Sequence, residues 1–172
     1  VNLDQLGKVG NTALTIQGNT VVDGKIFQYD EDGKIVTDGA GNYTVAETTG
    51  GVFGGGDMSA VNNSTQVTIE NTGANGILNV FGGGNTADVV ENTTVTITGG
   101  TIGNTTTASD TNGNVYGGGK GATTVVGGNV TVNLGTKTGT KPSFTYTGTG
   151  LVKHNLYGGL ALGNVNTTPN IA

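Results

Sequence analysis

The chain of 172 residues has no cysteine, no tryptophan and no arginine, and only two prolines, one methionine and one histidine. With neither arginine nor a dense lysine cluster, it is poorly suited to gripping nucleic-acid phosphates. Its single histidine, His154, has no cysteine or second histidine with which to share a metal, and reads as an ordinary strand or loop residue. No apolar run approaches the roughly 20 residues that cross a bilayer. Residues 1–16 carry no secretion signal, so the signal of an exported protein would lie outside this sequence. Charged residues make up only 11% of the chain and hydrophobic ones 33%. That is too little for a wide globular core, whereas a narrow solenoid needs only one inward row per face. Acid is also missing from one region: all 12 Asp and Glu lie at or before Asp110, while four of the seven lysines follow it.

What the chain has in abundance is glycine, 34 residues, arranged in a repeat. An aliphatic residue, an aromatic residue and a glycine run recur as Val52-Phe53-Gly54-Gly55-Gly56, Val80-Phe81-Gly82-Gly83-Gly84, Val115-Tyr116-Gly117-Gly118-Gly119 and Leu156-Tyr157-Gly158-Gly159. Fifteen residues after each aliphatic come Val67, Val95, Val130 and Ile171, and two further on Ile69, Ile97 and Val132. An earlier copy matches Val9, Asn11, Thr12, Leu14 and Ile16 to Val90, Asn92, Thr93, Val95 and Ile97. Five units are therefore visible, and units of this kind bury their apolar sides only against one another.

In TALTI, QVTIE, TTVTIT and NVTVNL, apolar and polar residues alternate with the period of a half-buried strand. This predicts Leu14 and Ile16, Val67 and Ile69, Val95 and Ile97, and Val130 and Val132 inward, with Thr15, Thr68, Thr96 and Thr131 outward. No stretch shows helical spacing. The expected fold is all-β: a parallel β-helix, or β-solenoid, of four to five coils in a single domain over 1–172, with little or no helix. Val1 to Lys8 would lead into the first coil, Leu3 and Leu6 covering its end. Between the second signature and the next glycine signature the length varies from 10 residues (70–79) to 17 (98–114), 23 (133–155) and 35 (17–51). All the variation falls in one interval, which predicts insertions at one corner, where a solenoid often binds its partner.

The insertion 17–51 reads as strand, turn, strand, turn, strand, with acidic-plus-glycine turns at Asp30-Glu31-Asp32-Gly33 and Asp38-Gly39-Ala40-Gly41. Asp30, Asp32 and Asp38 gather carboxylates as a calcium site does, although the spacing matches no complete EF-hand loop; the other reading is a solvated turn. Calcium is the one cofactor these residues suggest. The glycine runs open into no Gly-Lys-Ser/Thr sequence or helix, so they serve a tight corner or close contact between coils rather than phosphate binding. Asp57, Asp88, Glu70 and Glu91 occupy different offsets in their repeats, so the repeat positions no acidic pair for glycoside cleavage. No catalytic residue is assigned. Threonine rows for ice binding fail as well, because Gln66 and Asn129 interrupt them.

Successive strand side chains alternate, so with Val52, Val80, Val115 and Leu156 inward the row Phe53, Phe81, Tyr116 and Tyr157 faces out. Flanked by glycine, these rings form a candidate ligand-binding row for sugars; the other reading is that they stack on one another and shield the corner.

The segment TVTITGGTIGN, followed by NVYGGGKGATTVVGGNVTVNL, resembles the repeats of large secreted or surface-exposed bacterial proteins of the autotransporter-passenger and adhesin-like kind. The likeness covers roughly residues 50–171 with an echo in 9–16. It implies a right-handed parallel β-helix on the bacterial cell surface or secreted from it, to which an absence of cysteine is suited. FQYDEDGKIVTDG resembles a single repeat of bacterial wall- and glucan-binding modules. The resulting expectation is a non-catalytic extracellular module, an adhesin or display stalk. Its partners would be a glycan or a cell-surface protein, with self-association through the solenoid ends and no nucleic acid or membrane insertion in this segment. A filament or surface-layer component assembling end to end is the first alternative, and a polysaccharide-cleaving β-helix enzyme the second.

Overall fold

The alternation of β-branched and polar residues becomes short strand throughout. The computed structural model describes residues 9–22, 25–48, 50–74, 76–103 and 112–165. The lead-in 1–8 with Leu3 and Leu6, the region of Asp110, and Ile171 lie outside the described residues. The strands are β1 (Thr12–Ile16), β2 (Lys25–Phe27), β3 (Val45–Thr48), β4 (Gly51–Phe53), β5 (Thr65–Ile69), β6 (Asn79–Phe81), β7 (Thr93–Ile97) and β8 (Thr101–Ile102). They continue as β9 (Asn114–Tyr116), β10 (Val125–Val126), β11 (Val130–Leu134), β12 (Thr136–Thr140), β13 (Ser143–Thr147), β14 (Leu151–Val152), β15 (Leu156–Tyr157) and β16 (Asn164–Val165). The protein is all-β, with no helix among the described residues and most strands in parallel sheets.

Successive units add parallel strands to two four-stranded sheets. The first, ordered β1-β5-β7-β11, aligns Leu14, Val67, Val95 and Val132, and beside them Ile16, Ile69, Ile97 and Leu134. The second, ordered β4-β6-β9-β15, aligns Val52, Val80, Val115 and Leu156. Two narrower parallel rows complete the framework. Val9, Val61, Val89, Val126 and Val165 form one; Val22, Ile77, Ile102 and Val152 form the other. The core lies between these rows: Val67, Ile69, Ile77, Val80, Val95, Ile97, Ile102 and Val115 are wholly buried in one cluster, and Val61, Val89 and Val126 form a smaller one.

Threonine takes part in the interior too. The residue two before the first inward aliphatic of each strand is Thr12, Thr65 and Thr93, and then Val130. The hydroxyls of Thr12 and Thr65 donate to the carbonyls of Gly54 and Gly82, tying the first sheet to the glycine corner. Thr93 Oγ1, buried likewise, has no such partner.

Three details of the predicted register change. Val130 pairs with Thr93 and Val132 with Val95, a shift of two residues from the fixed-distance alignment. The two extra residues are taken up between Gly119 and Val126, and because side chains alternate with period two such a shift leaves inward residues inward. Val9 is aligned with Val61 and Val89 rather than with Val90, which is half exposed. Finally, the insertions leave from two corners instead of one. The row Val22, Ile77, Ile102 and Val152 divides the variable interval, so insertion 25–48 follows it and hairpin β12–β13 precedes it. Each unit contributes only one or two residues to that row, too short a run to show a period.

Candidate binding surface

The aromatic row is continuous. Ring centroids of Phe53 and Phe81 are 4.7 Å apart, those of Phe81 and Tyr116 5.1 Å, and those of Tyr116 and Tyr157 5.0 Å, with planes within 12° of parallel. These distances follow the strand spacing of about 4.8 Å. The rings therefore give their flat faces to one another. Phe81 is buried, Phe53 and Tyr116 are half-buried, and Tyr157 at the end of the row is exposed on less than half of its surface. A sugar ring could reach the row at that end or along the ring edges.

Beside the rings, the glycine runs explain themselves by close approach. Gly55 N–H donates to Gly83 O, Gly83 N–H to Gly118 O and Gly118 N–H to Gly159 O, so one run lies directly on the next. A Cβ on Gly54 would stand 2.2 Å from Gly82 O, and one on Gly82 2.0 Å from Gly117 O. None of the nine glycines in the first three runs has a positive φ, so close approach requires them, by the next unit at Gly54, Gly55, Gly82 and Gly83 and by its own turn, at Ser59, for Gly56. On the other flank runs an asparagine ladder. Asn114 N–H and Nδ2 donate to Asn79 Oδ1 at 3.1 and 3.3 Å, and Asn155 Nδ2 donates to Asn114 Oδ1 at 3.2 Å. Half-buried His154 joins this ladder, its Nδ1 3.1 Å from Asn114 Oδ1 and 3.0 Å from Asn155 Nδ2.

The acidic insertion forms three arms around a centre. Gln28 N–H donates to Thr44 O, Val36 N–H to Gln28 O and Thr44 N–H to Val36 O, each at 2.8 Å, closing a ring of three backbone bonds. The antiparallel pair β2–β3 is one arm, and the turns bridged by Tyr29–Ile35 and Thr37–Tyr43 are the others. Those two turns are copies eight residues apart. Asp30 Oδ1 accepts from the N–H of Asp32 at 3.1 Å and of Lys34 at 2.8 Å, and Asp38 Oδ1 from those of Ala40 at 2.9 Å and Asn42 at 2.8 Å. Asn42 Nδ2 also donates to Asp38 Oδ2 at 3.1 Å. These bonds, led by the Asn42 side chain and then its backbone N–H, hold the Asp38 carboxyl below its ordinary range. Asp30 and Asp38 thus cap separate turns. Among the described residues no group of three or more His, Asp or Glu is placed to hold a metal ion.

No protein-family model, curated protein or solved structure matches the chain. The remaining carboxylates mostly tie unit to unit: Asp57 Oδ1 accepts from Asn85 Nδ2 at 2.8 Å, Asp88 Oδ1 from Val125 N–H at 2.8 Å, and Glu91 Oε2 from Ser64 Oγ at 3.0 Å.

One surface feature went unread in the sequence. Hairpin β12–β13 pairs Lys137 with Tyr146 and Gly139 with Phe144 on one face, and Thr136 with Thr147, Thr138 with Thr145 and Thr140 with Ser143 on the other. Lys137 Nζ lies 3.6 Å from the Phe144 ring centroid and 6.0 Å from that of Tyr146. Between this hairpin and the outer side of the first sheet is an open groove of about 460 Å³, lined by Thr96, Asn133, Leu134, Thr136, Lys137 and Tyr146 among others. The signal was available in the two halves of TKTGTKPSFTYT, where Lys137 alternates with Thr136 and Thr138, and Phe144 and Tyr146 alternate with Ser143, Thr145 and Thr147.

Proposed function

We propose that the protein is a non-catalytic module of a bacterial surface or secreted protein, a right-handed parallel β-helix that displays insertions and engages a glycan or another cell-surface molecule. One observation carries the reading: the units keep their register while the additional chain forms separate antiparallel elements with their own hydrogen bonds. Such a division suits a stiff support carrying variable contacts, in which several weak sites gain from effective concentration. Asp57, Asp88 and Glu91 support the non-catalytic part, since each is occupied in bonds between units.

The experiment is retention of the purified protein on a glycan array and on bacterial and host cells, beside variants in which 25–48 or 136–147 is replaced by a short turn. Retention lost with one insertion, without turnover of the glycan, is the expected result. Retention no different from that of an unrelated protein of equal charge overturns binding, and appearance of new reducing ends overturns the non-catalytic reading. Small-angle scattering tests the support itself, a rod-like profile being expected and a compact sphere excluding it.

A further inference from the structure

We propose that the groove under hairpin β12–β13 is a saccharide subsite selective for acidic sugars, with Tyr146 as the stacking platform and Lys137 as the partner of the sugar's carboxylate or sulfate. The proposal rests on the display-and-binding reading and deepens it by naming the site and the ligand class. Several independent features converge there.

The first is an open ring. Tyr146 is 69% exposed, whereas Phe53, Phe81 and Tyr116 hold their faces against one another. A flat, exposed aromatic beside polar groups matches a pyranose, which presents C–H bonds on its face and hydroxyls at its rim. Those polar groups are present: Thr96 and Thr136 offer hydroxyls and Asn133 an amide, and Leu134 adds apolar surface to the lining. Asn133 Nδ2 lies 3.4 Å from Thr96 Oγ1, so the amide is oriented across the floor. A volume of about 460 Å³ falls within the range of about 300–1,000 Å³ common to ligand sites.

The second is charge. The strands framing the groove, TTVTI, VTVNL and the hairpin TKTGTKPSFTYT, contain two lysines and no carboxylate, and no acidic residue follows Asp110 in the sequence. The ammonium of Lys137 is held over the Phe144 ring, which orders it without neutralising its charge. An anion arriving in the groove meets a positioned cation, and the residues lining it carry no carboxylate. One positioned lysine and one open ring suit a single acidic sugar better than a nucleic-acid strand, whose grip needs a row of phosphate contacts.

Calorimetric titration with oligogalacturonate, a chondroitin sulfate oligosaccharide, a neutral cello-oligosaccharide and a short single-stranded oligonucleotide tests the idea. The acidic saccharides should bind at least about tenfold more tightly than the neutral one, more weakly as salt is added. Lys137→Gln and Tyr146→Ala should each weaken that binding by about tenfold or more, Lys137→Arg should restore much of it, and Thr145→Ala on the opposite hairpin face should change nothing. Unfolding curves of the variants establish that the framework is intact. Acidic binding that survives both Lys137→Gln and Tyr146→Ala overturns the groove and leaves the glycan-binding reading standing. Equal affinity for the neutral sugar or for the oligonucleotide overturns the acidic-saccharide assignment. Absence of any saccharide binding by the parent protein overturns the proposal, and with an empty glycan array it removes the glycan reading beneath it.

Discussion

At the scale of single residues, the same amino acid in the same motif carries different obligations depending on what lies above it. Gly82 sits with Gly117 O in the space where its Cβ would be, 2.0 Å away, whereas Gly158 has nothing within 4 Å of that position. Gly82→Ala must push two backbones apart and should destabilise by about 1–3 kcal/mol or more. Gly158→Ala should be neutral or slightly stabilising, because it only narrows the unfolded chain's freedom. Urea unfolding of the pair checks this; equal effects would mean that the glycines serve the corner's backbone conformation instead of contact. The threonines that line the interior give a second test of the same kind. Thr93 Oγ1 is buried without a partner, so Thr93→Val removes a desolvated hydroxyl and should raise stability by about 1 kcal/mol. Thr65→Val should move the other way, since it strips Gly82 O of the hydroxyl that donates to it. A destabilised Thr93→Val would show that this hydroxyl has a role in the folded state.

At the scale of elements, the three-armed insertion is a local structure whose turns are set by aspartate caps, and its behaviour toward protons and calcium follows. The Asp38 carboxyl is held below its ordinary range by bonds to its own turn, chiefly from Asn42. Because the folded form favours the charged state, the stabilisation is fully present above the unfolded value and is lost as pH falls through the lower folded one. Amide proton shifts of Ala40 and Asn42 should therefore titrate with a midpoint below that of an unperturbed aspartate, and Asp38→Asn should abolish the transition. Millimolar calcium should leave these shifts and the melting temperature unchanged; a calcium-dependent rise removed by Asp32→Ala would establish the metal site instead. The turns were legible in the sequence because acidic-plus-glycine tetrapeptides are strong local signals. Their assembly around Gln28, Val36 and Thr44 was not, since a ring of backbone bonds leaves no side-chain pattern. A similar limit governs the framework. Inward rows such as Val67, Val95 and Val132 could be read from period two, but the same period made the two-residue shift at Val130 invisible. The groove at Tyr146 needed the structure for another reason, as its floor and its roof come from strands that only folding brings together.

At the scale of the whole molecule, units that bury their apolar sides only against neighbours should be most stable in the middle and open from the ends. Burial already shows the gradient within one aligned row: Val67 and Val95 are 0% exposed, whereas Leu14 is 36% exposed, and in the adjacent row Ile97 at 0% meets Leu134 at 52%. Native-state hydrogen exchange should find the slowest amides in β5, β6, β7 and β9, faster ones in the edge strands β1, β11 and β15, and the fastest in β12–β13 and the three-armed insertion. The coupling between units can be measured by removing part of one core side chain. Val95→Ala deletes two methyl groups from a fully packed site, a loss of roughly 2 kcal/mol with its cavity. If the stacked strands open as one cooperative body, protection should fall by about thirtyfold in β5 and β7 together, although β5 itself is unaltered. A loss confined to β7 would mean that each unit opens alone, and that the parallel rows are a series of local contacts without shared stability.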